Sequence, residues 1–289
     1  MEQRQLASSR ESSHGGESAQ EMAAPQLRSE SQTQNLVQKF AVDGLAALTA
    51  ATAVSPVMVV IDRAVTEAAA GQRSFLGSAK ACLADAAKHP QRWFASKPFA
   101  AMMMLYLGTY TTANAIDTIG AHSEGLPAST TTSTSTKLAA VTTANVGLAL
   151  YKDATFARAF GTTGLTRSLP AVSYAPFIIR DGITLFATFN LPAIVAPMLP
   201  EKLEGLVSRM SVAQLAMPMT SQYFCTPLHL VGLDLYYRLG RLGFRERMKA
   251  IRQTWLTASN ARALRVLPAY GLGGVLNVDA RKWLIERID

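Results

Sequence analysis

Residues 36–289 alternate between stretches that lack any charged side chain and stretches rich in them. The charge-free stretches are 44–61, 98–116, 138–151, 182–200, 210–233 and 266–278, counting His229 as neutral. They contain 18, 19, 14, 19, 24 and 13 residues. A hydrocarbon core of about 30 Å needs about 20 helical residues, and tilting or snorkelling flanks complete the shorter runs. The pattern predicts an all-α membrane protein with six transmembrane helices. A large buried helical bundle is the competing reading, and the short runs 138–151 and 266–278 would suit it.

The connecting stretches decide between the two. Residues 62–97 hold six Lys/Arg against three acids, 152–180 four against one, and 234–265 eight against two. On the alternate side, 1–43 hold four basics against six acids and 117–137 one against two, while 201–209 and 279–289 are balanced. Such segregation follows the positive-inside rule and has no reason to arise in a soluble bundle. Two of the connections also carry helical apolar faces. Phe75, Ala79, Leu83 and Ala86 share one face within 72–93, and Phe244, Met248, Ile251 and Trp255 share one within 244–258. Both are expected to lie along the membrane surface. The corresponding stretch of the middle unit, 155–170, is shorter and looser.

Repetition is visible in the prolines. Pro56 precedes Pro98 by 42 positions and Pro227 precedes Pro268 by 41. The segments "ASKP" (95–98), "RDGI" (180–183) and "RVLP" (265–268) open the three even-numbered spans at intervals of 85 and 85. The chain therefore reads as three pseudo-symmetric two-helix repeats with short surface helices, at about 36–126, 127–205 and 206–289. Residues 1–35 are Ser/Glu/Gln-rich, contain no apolar run and are expected to be a disordered tail.

Composition fits this picture. The chain is 49% hydrophobic and 17% charged, where soluble proteins carry roughly a quarter charged residues. The net charge of +8 originates in the three basic connections, so no nucleic-acid partner is needed to account for it. Cys82 and Cys225 stand apart without metal-ligand spacing and are expected to be buried thiols. The four histidines are scattered, no phosphate-binding glycine loop follows a strand, and no catalytic constellation emerges. Neither an enzyme nor a cofactor or metal site is expected.

Three helix–surface helix–helix units, with a proline late in two odd-numbered spans, resemble the mitochondrial carrier family. That family ends each odd helix with proline, an acid two residues on and a base three further. Here "SPVMVVIDR" has Pro56 but Met58 and Ile61 at the charged places. "TPLHLVGLDLYYR" has Pro227 followed by His229 and Gly232, and "NVGLALYKD" has Gly147 near the proline position. The resemblance implies the carrier fold and helix kinks at Pro56 and Pro227. Asp62, Arg63, Lys152, Asp153, Asp234 and Arg238 are then either a displaced ring of charges or solvated helix ends.

The resemblance also implies substrate contacts three and two residues before the proline of each even-numbered helix. Those positions are Ala95 and Ser96, Arg180 and Asp181, and Arg265 and Val266, and Lys97 adds a further charge. An ionised group within a span costs about 3 kcal/mol or more and is kept where it faces water, a partner or a ligand. Arg180, Asp181, Arg265 and Lys97 are accordingly the expected substrate-binding residues, and the other reading of Arg180, Asp181 and Arg265 is that they anchor the spans at the membrane interface. Asp181 and Arg180 are neighbours that cannot share a helix face, so at least one needs a partner across the bundle. The function expected is transport of a small anionic or zwitterionic metabolite across the mitochondrial inner membrane by alternating access. The alternative is a non-transporting, carrier-like scaffold or membrane-remodelling protein, in the inner or the outer mitochondrial membrane. The partners expected are a small-molecule solute and the lipid bilayer.

Overall fold

The computed structural model describes residues 2–131, 134–161, 170–201, 208–238 and 243–288. Side chains are described from Asn35 onward, except those of Phe189 and Tyr270, so those of the expected tail over 1–35, Asn35 apart, lie outside the described side chains.

Helices form where the charge-free runs predict them. Helix α1 (Glu2–Ala69) carries the first run, α4 (Lys97–Glu124) the second and α5 (Ser135–Phe160) the third. The fourth run is divided between α6 (Ala171–Phe189), α7 (Leu191–Val195) and a 3-10 turn at Ala196–Met198. Helix α8 (Arg209–Tyr237) carries the fifth run, and a π-helical stretch at Leu267–Gly273 leading into α10 (Gly274–Ile285) carries the sixth. Among the described residues there is no strand.

The basic connections also fold as expected in two of three units. Helices α2 (Phe75–Lys88) and α3 (Pro90–Phe94) fill the first, and α9 (Phe244–Leu264) fills the third. Ser74 caps α2 by accepting from the Gly77 N–H, which satisfies one orphan donor of its first turn. The face of α2 turned inward bears Ser78 and Cys82, while Leu83 is exposed together with Leu76 one heptad earlier. In the middle unit α5 runs on unbroken to Phe160, and 162–169 lie outside the described residues.

Helices follow one another around the bundle, α1 against α4, α4 against α5, α5 against α6, α6 against α8, and α10 back against α1. Helix α9 packs on α8 and α1. The C-terminal ends of α1, α5 and α8 meet in one apolar cluster, where Ala69, Ala157 and Tyr236 pack with Phe177 of α6. At the other end Val42 of α1, Ala128 and Ile285 of α10 pack together. The helices thus alternate in direction, and the three basic connections share one end of the bundle.

Beside its apolar core the bundle buries charge and leaves large apolar side chains exposed. Asp153 of α5 and Arg180 of α6 are 2% and 3% exposed, whereas Ile178, Ile179 and Phe186 of α6 are at least 50% exposed. Buried charge and exposed branched apolar side chains together mark a surface built for lipid. Helix α1 over Asn35–Ala69 is by itself long and apolar enough to cross a membrane, and the pair Ala171–Thr188 and Leu191–Met198, bent by 43°, makes a second candidate. Helices α4, α5 and α8 have the length, with 28, 26 and 29 residues, but polar side chains turned inward dilute their apolarity.

Prolines inside α8 have a packing role. Pro227 has no N–H, which frees the carbonyl of Tyr223 one turn earlier. Trp255 Nε1 of α9 donates to that carbonyl at 2.9 Å, and Tyr223 Oη donates to Asn260 Oδ1 at 2.6 Å. The proline thereby creates the acceptor that fastens α9 to α8. Helix α8 continues through both Pro218 and Pro227.

Candidate functional site

A continuous chain of six alternating charges crosses the bundle. Arg265 Nη1 lies 2.5 Å from Asp62 Oδ1, and Lys152 Nζ lies 2.5 Å from Asp62 Oδ2. The same Lys152 Nζ lies 2.5 Å from Asp153 Oδ1, and Arg180 Nη1 is 2.7 Å from Asp153 Oδ2. Arg180 closes the chain on Asp181, donating through Nε and Nη2 at 2.8 Å. The chain joins α1, α5, α6 and the C-terminal end of α9. Lone buried charges are prohibitive, and each is tolerated here because the next one neutralises it and occupies its hydrogen-bonding capacity.

His229 completes the arrangement around Arg180. Its Nδ1 lies 2.7 Å from Arg180 Nη1. A guanidinium only donates, so His229 Nδ1 accepts and its ring is neutral. Next to His229 on α8, Gly232 admits the Phe177 ring, which sits where a Cβ would stand, 2.5 Å from Phe177 Cε1.

Lys152, Arg180, Asp181 and Arg265 of the charge chain line a cavity of roughly 160 Å³. A cavity of about 150 Å³ suffices for a benzene-sized molecule, so this one suits a small solute. Its walls come from five helices and the π-helical stretch: Tyr106, Thr109 and Tyr110 from α4, Asn145 and Lys152 from α5, Arg180, Asp181 and Thr184 from α6, Gln222 from α8, and Arg262 and Arg265 at the end of α9. Tyr110 Oη donates to the Ala269 carbonyl at 2.9 Å, satisfying a backbone group of the π-helical stretch.

The sequence-selected residues divide into two sets. Arg180, Asp181 and Arg265 meet at the cavity. Lys97 is exposed in the first turn of α4 and is not among the cavity-lining residues. Of the six charges after the odd-helix prolines, Asp62, Lys152 and Asp153 are buried in the chain and are not solvated helix ends. Arg63 turns outward to Glu67 at 2.8 Å and Asp85 at 3.3 Å, and Asp234 pairs with Arg238 and Arg247 at 2.9 and 2.8 Å. Arg180 finds its partner across the bundle in Asp153, yet its long stem also lets it turn back onto its neighbour Asp181. Cys82 and Cys225 are both buried free thiols. Among the described residues no cluster of His, Cys, Asp and Glu has the makings of a metal site.

A second buried polar layer was not anticipated from the sequence. Arg281 Nε donates to Asp43 Oδ1 at 2.7 Å and its Nη2 to Thr118 Oγ1 at 2.8 Å, while Thr118 Oγ1 donates to Asp43 Oδ2 at 2.6 Å. Asn114 and Asn277 exchange amide hydrogen bonds at 2.9 and 2.8 Å. Asp43 and Asp62 lie on one helix about 28 Å apart, at about 1.5 Å per residue, so the two layers occupy opposite ends of the bundle. Both Asp43 and Arg281 sit just outside the charge-free runs, where sequence reasoning treats charges as interface anchors.

Comparison with known proteins revises the family. A family model described as "Probable citrulline exporter" matches residues 46–285, a range that holds the charge chain and the whole cavity. The mitochondrial carrier resemblance is thereby corrected. It rested on proline spacing and repeat length, which any bundle of paired spans can share, while the charged signature positions held Met58, Ile61, His229 and Gly232. No curated protein matches the chain. A family match over most of the chain, on a helical bundle with a charged inner cavity, places the chain in the family of probable citrulline exporters, a family of transporters and not of enzymes.

Proposed function

We propose that the chain carries a small zwitterionic amino acid of the citrulline class across a membrane by alternating access to the central cavity. One observation carries this reading: a charge-lined cavity of roughly 160 Å³ enclosed by helices whose outer faces are apolar. Polar lining in an apolar bundle is costly to build and is kept where a polar solute must be accommodated. The family's description as a probable citrulline exporter gives the solute class. Arg180, Asp181 and Arg265 are the polar frame of the site, and Lys97, exposed away from the cavity, is no part of it.

In this reading six spans act as three pairs, α1 with α4, α5 with α6, and α8 with the π-helical stretch and α10. The charge chain from Arg265 to Asp181 closes the end that bears the basic connections, and the Asp43–Arg281–Thr118 layer closes the opposite end. Opening one layer while the other holds exposes the cavity to one side at a time, and substrate lowers the cost of the exchange by favouring the intermediate form. A non-transporting scaffold would have no use for two such layers around a polar cavity. The mitochondrial address rested on the corrected resemblance, and the proposal names no particular membrane.

Purified protein reconstituted in liposomes tests the reading. Protein-dependent, saturable movement of isotope-labelled citrulline is expected. Movement no faster than in protein-free vesicles, for citrulline and for other neutral amino acids, would overturn it.

A further inference from the structure

We infer that Arg262 on α9 is the anchor for the substrate carboxylate and that Gln222 on α8 accepts a hydrogen bond from a substrate N–H group. This assignment rests on the transport reading above and names the two recognition points of that cavity.

Charge balance comes first. Four cations, Lys152, Arg180, Arg262 and Arg265, and the carboxylate of Asp181 line the cavity, and the carboxylates of Asp62 and Asp153 are buried behind them in the charge chain. The three carboxylates are consumed by Lys152, Arg180 and Arg265 in the continuous chain. Arg262 is left over. It is 2% exposed, lines the cavity, has no ion pair among the described residues, and its Nε has no hydrogen-bond partner. A buried guanidinium without a counter-ion is a strong penalty unless an anion arrives to share its charge, and a carboxylate fits its planar fork with two parallel hydrogen bonds.

Gln222 supplies the complementary half. It is 2% exposed and lines the same cavity, and its Oε1 has no partner. The orientation of the amide is fixed by its other end, since Nε2 donates to the Pro218 carbonyl at 3.3 Å and to Ser221 Oγ at 3.5 Å. Turning the amide over would set two carbonyl oxygens against each other. Each of these two lining residues therefore keeps one buried polar atom without a hydrogen-bond partner among the described residues, a cationic donor at Arg262 Nε and a neutral acceptor at Gln222 Oε1. A solute that satisfies both carries a carboxylate together with an amine, amide or ureido N–H, which is the chemistry of an amino acid and not of a simple carboxylate or a simple amine.

The test compares citrulline with its carboxamide, in which the carboxylate is replaced by a neutral group of similar size. Affinity is read from ligand-induced thermal stabilisation of the full chain in detergent, and transport from uptake into proteoliposomes. The wild-type protein is expected to prefer citrulline over the amide by at least tenfold. Arg262→Gln should weaken citrulline at least tenfold and erase that preference, with Arg262→Lys retaining part of it. Gln222→Leu should weaken both ligands several-fold and leave their ratio unchanged. A wild-type protein that takes acid and amide equally overturns the assignment without any variant, as does an Arg262→Gln protein that transports with unaltered preference. Binding that follows chloride concentration and ignores the acid–amide exchange overturns it as well. Absence of all amino-acid transport by the wild type is the separate failure of the transport reading.

Discussion

Lys152 Nζ reaches Asp62 Oδ2 at 2.5 Å across ninety positions of sequence, and both side chains are buried. That contact ties the first odd-numbered span to the second, and Lys152 spends its remaining capacity on Asp153.

Removing the shared cation should be severe. Lys152→Met leaves two buried carboxylates with one partner each, and breaking a buried ion pair costs about 3–5 kcal/mol. Thermal unfolding of the variant in detergent is expected to show a large drop in Tm, and Asp62→Asn introduced with it should recover part of the loss.

At the cavity, Arg265→Ala is expected to abolish citrulline uptake while the protein still inserts and purifies. Arg265 lines the cavity and pairs with Asp62, which keeps Lys152 as a second partner, so the fold has a reserve that the site lacks. Uptake into liposomes matched for inserted protein checks it.

The opposite layer should behave as a coupled unit. Asp43→Ala and Arg281→Ala share a hydrogen-bonded pair at 2.7 Å, so their effects on stability should fail to add by about 0.5–3 kcal/mol. A double-mutant cycle on thermal unfolding measures the difference, and simple additivity would argue against a working contact.

Gly232 and Gly147 make a matched pair. A methyl group at Gly232 would collide with the Phe177 ring, which lies 2.5 Å from the ideal Cβ position, whereas nothing stands within 4 Å of the one at Gly147. Gly232→Ala is expected to destabilise by about 1–3 kcal/mol as α6 and α8 are forced apart. Gly147→Ala should be neutral or stabilise by up to about 1 kcal/mol through helix propensity. Denaturation midpoints of the two variants decide it.

The bond between Trp255 and the Tyr223 carbonyl depends on the proline that freed that carbonyl. Trp255→Phe should cost about 1 kcal/mol in the wild type, a typical net value for one hydrogen bond. In a Pro227→Ala background, where the helix can satisfy Tyr223 itself, the same change should cost less.

Helix positions and their alternation in direction were legible in the sequence, because each follows from local pattern. Apolar runs of near-membrane length fold as helices wherever they occur, and segregated basic residues fix which connections share a side. Arg180, Asp181 and Arg265, which line the cavity, stand out in the sequence as charges at the mouths of apolar spans, though they were selected there through the carrier resemblance. Arg262 was within reach of the same reasoning, one helical turn before Arg265. Its importance lies in the partner it lacks, and a missing partner leaves no mark in sequence. Proline spacing misled on family, since two helices joined by a short connection recur at similar lengths in any bundle of paired spans.

The sequence by itself determined that this chain is a helical bundle with apolar outer faces and one basic end. Only the tertiary structure decided that Asp62 meets both Lys152 and Arg265, that Asp43 meets Arg281, and that Arg262 Nε and Gln222 Oε1, on two residues lining the cavity, have no hydrogen-bond partner among the described residues. Periodicity and composition act within a few helical turns. Charge pairing depends on which helices become neighbours, a choice made by the packing of the whole bundle.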